Sequence, residues 1–331
     1  MDFSKEHFKV EPVLARVATW YFSYVYGRWE GPGVVPFYCN AGLIGHFAVT
    51  PEELREARPA TIFKVFITMS MYQARRDVLI MDQQRKMPLT TVLELTDPNK
   101  LQELSEFYSC EYFASASLFE QYCNVYKREG NVDCEHRTGL PCQVKSASVA
   151  LLRTGDMGKL PTSAWLYLGK QGLLLEVLAH VKKATKNPGK RAELLVDHFS
   201  AVYRVGKKLA TMFVSALSTP ALAPDLAPWF PEIDGSSLVV VDTHVARAVD
   251  LLRKTKTPHT YEARAVWLQK QAKSIELSKF NSEVPNYSPR LLQQALYMFG
   301  SKSNRRERRD PCAVNGCTCG IPELCPFYDR V

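Results

Sequence analysis

The feature that most constrains the fold is a helical repeat of apolar residues along most of the chain, punctuated by prolines that fall between the periodic stretches. The spacing predicts helices over Val13–Tyr26, Pro51–Arg58, Thr61–Arg85, Leu101–Tyr126 and Gly172–Lys186. It continues over Ala192–Ser200, Lys207–Ser218, Asp242–Lys254, Tyr261–Glu276 and Pro289–Phe299. Pro59, Pro88, Pro188, Pro220 and Pro258 separate them, where a residue lacking an N–H does least harm. Strand-like alternation is scarce and no internal repeat is visible, so the chain reads as all-α. With 331 residues, 46% of them apolar, it can fill a large core or two modest ones, which excludes a disordered chain.

Charge narrows the partners without choosing one. Lys and Arg number 42 against 34 Asp and Glu, a formal charge of +8 that favours polyanions. Asp2, Lys5, Glu6 and Lys9 interrupt any apolar core a secretory signal would need, and no run is long and uncharged enough to span a bilayer. The expectation is a soluble, monomeric intracellular protein with no membrane partner, cytoplasmic and nucleoid-associated if bacterial.

The densest stretch runs from Leu194 to Val249. LLVDHFSAVYRVGKKLATMFVSAL reads as a helix ending near Ser200, a tight turn through Tyr203, Arg204, Val205 and Gly206, and a second helix from Lys207. Such a turn aims backbone N–H groups and a positive helix end outward, which suits a phosphate, and Lys207 adds charge. Leu209, Ala210, Met212, Phe213 and Leu217 form the second helix's apolar face, leaving Lys208 at its rim. An isolated lysine there reads as a solvated charge; as a nucleophile it needs a depressed pKa, obtainable from desolvation, Lys207, Arg204 and the helix end. Asp242 opens a helix whose apolar face is Val245, Ala248, Val249 and Leu252. Its plain reading is an N-cap, worth about 1 kcal/mol. A capping carboxylate can still offer its other oxygen to a developing positive charge. His198 and His244 read as structural histidines near helix ends.

Four of the nine cysteines crowd into Cys312-x4-Cys317-x-Cys319-x5-Cys325. Thiolates this close in sequence converge on a metal with little loop ordering. Cys134, His136 and Cys142 offer half of another site without a fourth ligand and stay unassigned.

Together these residues carry a family resemblance. Arg204-Val-Gly-Lys-Lys-Leu-Ala210 followed by Val239-Val-Val-Asp-Thr-His-Val-Ala-Arg247 resembles the hairpin and catalytic-aspartate signature of the helix-hairpin-helix DNA glycosylases, the endonuclease III-like branch above all. The resemblance implies two helical domains with a DNA-binding cleft between them: 50–218, barrel-like and ending in the hairpin; 1–49 with 239–331, ending in a cysteine-cluster loop; and 219–238 as an inserted connection. It implies Lys208 as the nucleophile at the sugar C1′ and Asp242 as its assistant. Phe63-Lys-Val-Phe-Ile-Thr-Met-Ser-Met-Tyr-Gln-Ala74 resembles the family's early helix, which makes Gln73 the wedge that fills the gap left by an extruded base. Arg204, Val205, Gly206 and Lys207 become DNA contacts. Cys312, Cys317, Cys319 and Cys325 become ligands of a 4Fe-4S cluster, zinc being the alternative, and Arg305, Arg306, Arg308 and Arg309 beside them would grip phosphates.

The chain departs from that pattern. Arg204 stands where the family hairpin usually has its first glycine, and a bulky residue resists the positive φ expected there. Cys317 and Cys319 are separated by one residue rather than two. The aperiodic Asn131–Pro161 segment reads as an elaborated loop and Ala221–Ser237 as an insertion, both as surface decoration. The expected function is a DNA glycosylase with abasic-site lyase activity on duplex DNA carrying a damaged or modified base. The alternatives are a phage-related modified-base enzyme on the same fold and a non-catalytic helix-hairpin-helix DNA-binding protein.

Overall fold

The computed structural model describes residues 9–73, 75–123, 142–151, 158–253, 259–315 and 319–327. Among them every regular element is helical, and strand-like pairing is confined to an isolated bridge between Tyr26 and Glu30. The protein is all-α, as its periodicity predicts. No described helix is long and apolar enough to cross a membrane. The helices that carry the argument are α1 (Val10–Tyr24), α2 (Pro59–Ser70), α3 (Asp77–Lys86), α4 (Pro188–Ser200) and α5 (Gly206–Ser218). They continue as α6 (Thr243–Arg253), α7 (Tyr261–Ala272), α8 (Pro289–Gly300) and α9 (Lys302–Glu307).

Two compact units divide the chain. The first comprises Met1–Val34, Ser215–Pro224 and Ile233–Val331; the second comprises Val35–Val214 and Asp225–Glu232. The first unit's core joins Leu14, Val17 and Tyr21 of α1 to Val245, Val249 and Leu252 of α6, Leu268 of α7, and Leu292, Leu296 and Phe299 of α8. Each such side chain contributes roughly 1.5–3 kcal/mol by leaving water. Ser288 caps α8 through its hydroxyl and Pro289 occupies the first turn, so the helix begins where the sequence places it.

Aromatic rings build the second unit's core. Phe66 of α2 meets Phe199 of α4 at 5.7 Å and Phe213 of α5 at 4.8 Å between ring centroids. Trp229 closes over the same group, 6.4 Å from Phe199 and 5.5 Å from Phe213. Leu226 and Trp229 are buried, so the Asp225–Glu232 segment contributes side chains to this unit's core and is not surface decoration alone.

Three expected elements differ. The Thr61–Arg85 stretch is two helices, because α2 ends at Ser70 and Arg76 is extended before α3. The Leu101–Tyr126 stretch breaks at Ser109, which takes a left-handed conformation at φ 45°, and helix resumes at Ala116 under a Ser115 cap. Helices Gln143–Ala150 and Leu160–Ala164 occupy part of the segment read as a loop. They are one or two turns long, too short for a periodic signal to rise above its polar context.

Candidate functional site

The turn between α4 and α5 lies within the second unit. Val202 and Val205 are buried and anchor it, and the Val205 N–H donates to the Val202 carbonyl at 2.9 Å. The Tyr203 N–H donates to Ser163 Oγ at 3.0 Å. Between these anchors Arg204 has φ 65° and Gly206 φ 55°, both left-handed. The expected resistance of Arg204 is therefore overcome: the arginine takes the conformation that a glycine would take freely. That costs about 1–2 kcal/mol for an L-residue. Part is offset where the guanidinium lies over the Tyr203 ring, 5.7 Å from its centroid.

Arg204, Gly206 and Lys207 are exposed, and nothing lies within 4 Å of where a Gly206 side chain would project. The turn thus opens to solvent at the start of a helix, whose first N–H groups have no acceptor within the helix and whose dipole is positive there. Lys208 stands in that first turn, half-buried, next to buried Leu209 and Ala210. The lysine sits at the edge of this exposed helix start.

Asp242 belongs to the first unit. Its Oδ1 accepts the Val245 N–H at 2.7 Å and its carbonyl accepts the Ala246 N–H at 2.8 Å, so it is the N-cap of α6. Val245, Ala248, Val249 and Leu252 are all buried, as their spacing requires. The carboxylate itself is half-buried. Arg264 ties α7 to α6 side-on, Nε to Asp250 Oδ1 at 3.0 Å and Nη2 to Oδ2 at 2.7 Å, and that pairing holds the Asp250 carboxyl below its ordinary pKa.

Gln73 follows the end of α2, half-buried, and its Nε2 donates to the Ser70 carbonyl at 2.6 Å. It occupies the polar end of a buried helix, where its amide satisfies one of the last carbonyls. His198 has a structural partner, with Nε2 3.1 Å from the Tyr167 carbonyl oxygen. Sequence reasoning passed over Lys159, a buried lysine whose Nζ lies 5.0 Å from the ring centroids of both Phe119 and Tyr203.

The cysteine segment closes the first unit. Cys312 and Cys325 are buried and Cys319 is half-buried. The Cys319 thiol is raised above its ordinary pKa by hydrogen bonding to the Cys325 thiol, then by burial and by Cys312, against a lowering contact with the Ile321 backbone. Cys325 and Cys312 both act on the Cys319 thiol. Cys317, the fourth expected ligand, and Cys134 and His136 lie outside the described residues. Among the described residues no group of three or more His, Cys, Asp and Glu side chains stands in metal-holding geometry.

The neighbouring arginines correct an expectation. Arg305 is 2% exposed and cannot reach a phosphate. Its Nη2 donates to Asp310 Oδ1 at 2.9 Å, and its guanidinium is caged by Phe299 at 4.5 Å, Trp20 at 5.0 Å and Phe327 at 5.1 Å. Burial would lower its pKa, but Asp310, Cys312 and Cys325 outweigh that and raise it. Arg306 and Arg309 are exposed, and half-buried Arg308 lies over Trp29. Arg16 of α1 holds the terminal loop, donating to the Gly320 carbonyl at 2.6 Å and pairing with Glu323 at 2.7 Å.

The chain matches no protein-family model, no curated protein and no solved structure.

Proposed function

We propose that this protein is a DNA glycosylase with abasic-site lyase activity, in which the α4–α5 turn is a helix-hairpin-helix that grips a DNA phosphate and Lys208 is the nucleophile. The observation that carries the reading is the left-handed Arg204. A backbone conformation held against its residue type marks a place where geometry matters more than local comfort. Here that geometry turns the chain into an exposed helix start bearing Gly206, Lys207 and Lys208. The signature that continues through Asp242 adds the second reacting group.

In this reading the turn's N–H groups and Lys207 bind backbone phosphate, and the target nucleotide is extruded from the stack. Gln73 fills the space it leaves. Neutral Lys208 Nζ forms a bond to C1′ as the glycosidic bond breaks, and the base departs with that electron pair and takes up a proton. Asp242, which is already oriented by its cap bond, is assigned the stabilisation of positive charge at the sugar, and the lysine proton passes to solvent. The imine that follows acidifies C2′, and β-elimination breaks the 3′ C–O bond. Cys312, Cys317, Cys319 and Cys325 would hold an iron–sulfur cluster as a structural tie for the terminal loop.

The test is a strand-cleavage screen on duplexes carrying an abasic site, oxidised pyrimidines and phage-type modified thymines. Product is expected on the abasic duplex and on at least one modified base. It should fall at least about 100-fold in Lys208→Ala, the scale of a lost positioned group. Binding without cleavage of any duplex would leave a DNA-gripping module instead.

A further inference from the structure

The stretch that leads into Asp242 is buried but irregular. Residues 238–242 lie outside any helix, and Val239, Val240 and Val241 are buried. A buried segment of this kind has to pair its backbone N–H and carbonyl groups with side chains. Helices α7 and α8 and the residue that caps α8 supply them. The Tyr261 hydroxyl donates to the Val239 carbonyl at 2.9 Å, Gln269 Nε2 to the Ser237 carbonyl at 2.9 Å, and Ser288 Oγ to the Ser236 carbonyl at 3.3 Å. Nearest to Asp242, the Val240 N–H donates to Gln293 Oε1 at 3.3 Å.

Only the oxygen end of the Gln293 amide can serve that N–H, and Arg290 selects the end. Buried Arg290 donates from Nη1 to Gln293 Oε1 at 2.7 Å and to Gln294 Oε1 at 2.8 Å, and from Nε to Ser215 Oγ at 2.9 Å. A guanidinium carries donors and no acceptor, so both amides turn their oxygens toward it. Gln294 then presents Nε2 to Glu30 Oε1 at 2.7 Å, while Glu30 Oε2 accepts the Tyr21 hydroxyl at 3.0 Å. By the same constraint Gln293 keeps its oxygen within reach of Val240. Burying a guanidinium costs several kcal/mol, and an apolar side chain could fill its place, but the Gln293 amide would then be at liberty to turn. Beyond Asp242, the cap bond from the Val245 N–H orients the carboxylate from the α6 side at 2.7 Å. The aspartate is therefore held from both directions along the chain.

We propose that Gln293, turned by Arg290, is the positioning residue of Asp242: it fixes the depth at which residues 238–242 enter α6 and so where the carboxylate stands. The inference rests on reading Asp242 as a reacting group. A carboxylate that stabilises charge at a sugar acts through its distance from that charge, and a displacement of about 1 Å can cost roughly 100-fold in rate. The cap bond alone fixes the carboxylate relative to α6; the Gln293 contact fixes the backbone that carries it.

The experiment measures single-turnover cleavage and binding of an abasic duplex by the full chain, beside far-UV circular dichroism. Wild type is compared with Gln293→Met, which fills the space without an acceptor, with Gln293→Glu, which keeps an oxygen for Val240 and Arg290, and with Arg290→Met. Gln293→Met and Arg290→Met should cleave at least about 10-fold more slowly while binding the duplex within about 2-fold of wild type, the pattern of a contact felt in the reaction and not in binding. Gln293→Glu should return the rate to within about 3-fold of wild type, because the acceptor is restored. The deciding comparison repeats Gln293→Met in an Asp242→Asn background. A residue that acts through the carboxylate has little left to lose there, so the added slowing should be under about 2-fold. No cleavage by wild type overturns the glycosylase reading and the proposal with it. Cleavage slowed equally in both backgrounds makes Gln293 a general support and overturns the proposal alone, as does an unchanged rate in Gln293→Met or in Arg290→Met. Unfolding of both Gln293 variants makes the residue part of the scaffold and overturns it as well.

Discussion

Substitution at Arg204 separates backbone conformation from charge. With φ 65° the residue carries the left-handed penalty of about 1–2 kcal/mol, which Arg204→Gly removes. Two losses oppose the gain: roughly 0.4–1 kcal/mol for the freer unfolded chain, and about 0.5 kcal/mol for the exposed stacking on Tyr203 at 5.7 Å. The net change for Arg204→Gly lies within about 1 kcal/mol of zero, a shift of no more than about 4 °C for a unit of this size. Arg204→Val also loses the charge and the stacking, but its branched side chain makes the left-handed region worse, and it should lose about 1–3 kcal/mol. Thermal unfolding followed by circular dichroism ranks the three proteins, and a salt titration of DNA binding on each completes the test. Arg204→Gly should keep the turn but weaken binding and reduce the salt slope by about one phosphate contact. A valine variant as stable as the glycine variant would refute the left-handed turn, and an unchanged salt slope in Arg204→Gly would refute its contact with phosphate.

Further outcomes follow from other contacts. Asp242→Asn retains an N-cap acceptor, so its stability should match wild type within about 0.5 kcal/mol, whereas Asp242→Ala should lose about 1 kcal/mol; cleavage assays should find both variants slowed at least about 100-fold. Gly235→Ala would place a methyl 2.6 Å from Ser218 Oγ, 2.7 Å from Thr219 Oγ1 and 3.0 Å from Ser215 Cα, and denaturant titration should show a loss of about 1–3 kcal/mol. Asp250→Asn should cost about 0.5–1 kcal/mol near neutral pH by weakening the two-bond tie to Arg264. Because the folded pKa of Asp250 lies below its unfolded value of about 3.9, this contribution is present above that pH and is lost as pH falls through the folded value. Stability curves of wild type and variant should therefore converge in acid.

Fold class was legible because apolar spacing reports burial directly. The α6 face of Val245, Ala248, Val249 and Leu252 is buried residue for residue. Breaks within long periodic stretches were less legible, since Ser109 and Arg76 leave the helix through backbone conformations that their identities do not demand. Arg204 is the same problem reversed: its type argues against the turn, yet the buried valines on either side and the Ser163 contact to Tyr203 hold it in place. Arg305 reads as one of a run of surface arginines, and only the tertiary placement of Trp20, Phe299 and Asp310 reveals a buried cation. Trp229 lies in a proline-rich segment that looks like decoration because its partners, Phe199 and Phe213, come from distant helices. Local pattern records which face is apolar; it does not record which polar group will be enclosed by residues far along the chain.

Reductive trapping tests the central claim most directly. The protein is incubated with abasic duplex DNA and borohydride, and the crosslinked peptide is sequenced by mass spectrometry. A covalent adduct on Lys208 that disappears in Lys208→Ala is the predicted result. An adduct on another residue, or one undiminished in Lys208→Ala, would contradict it.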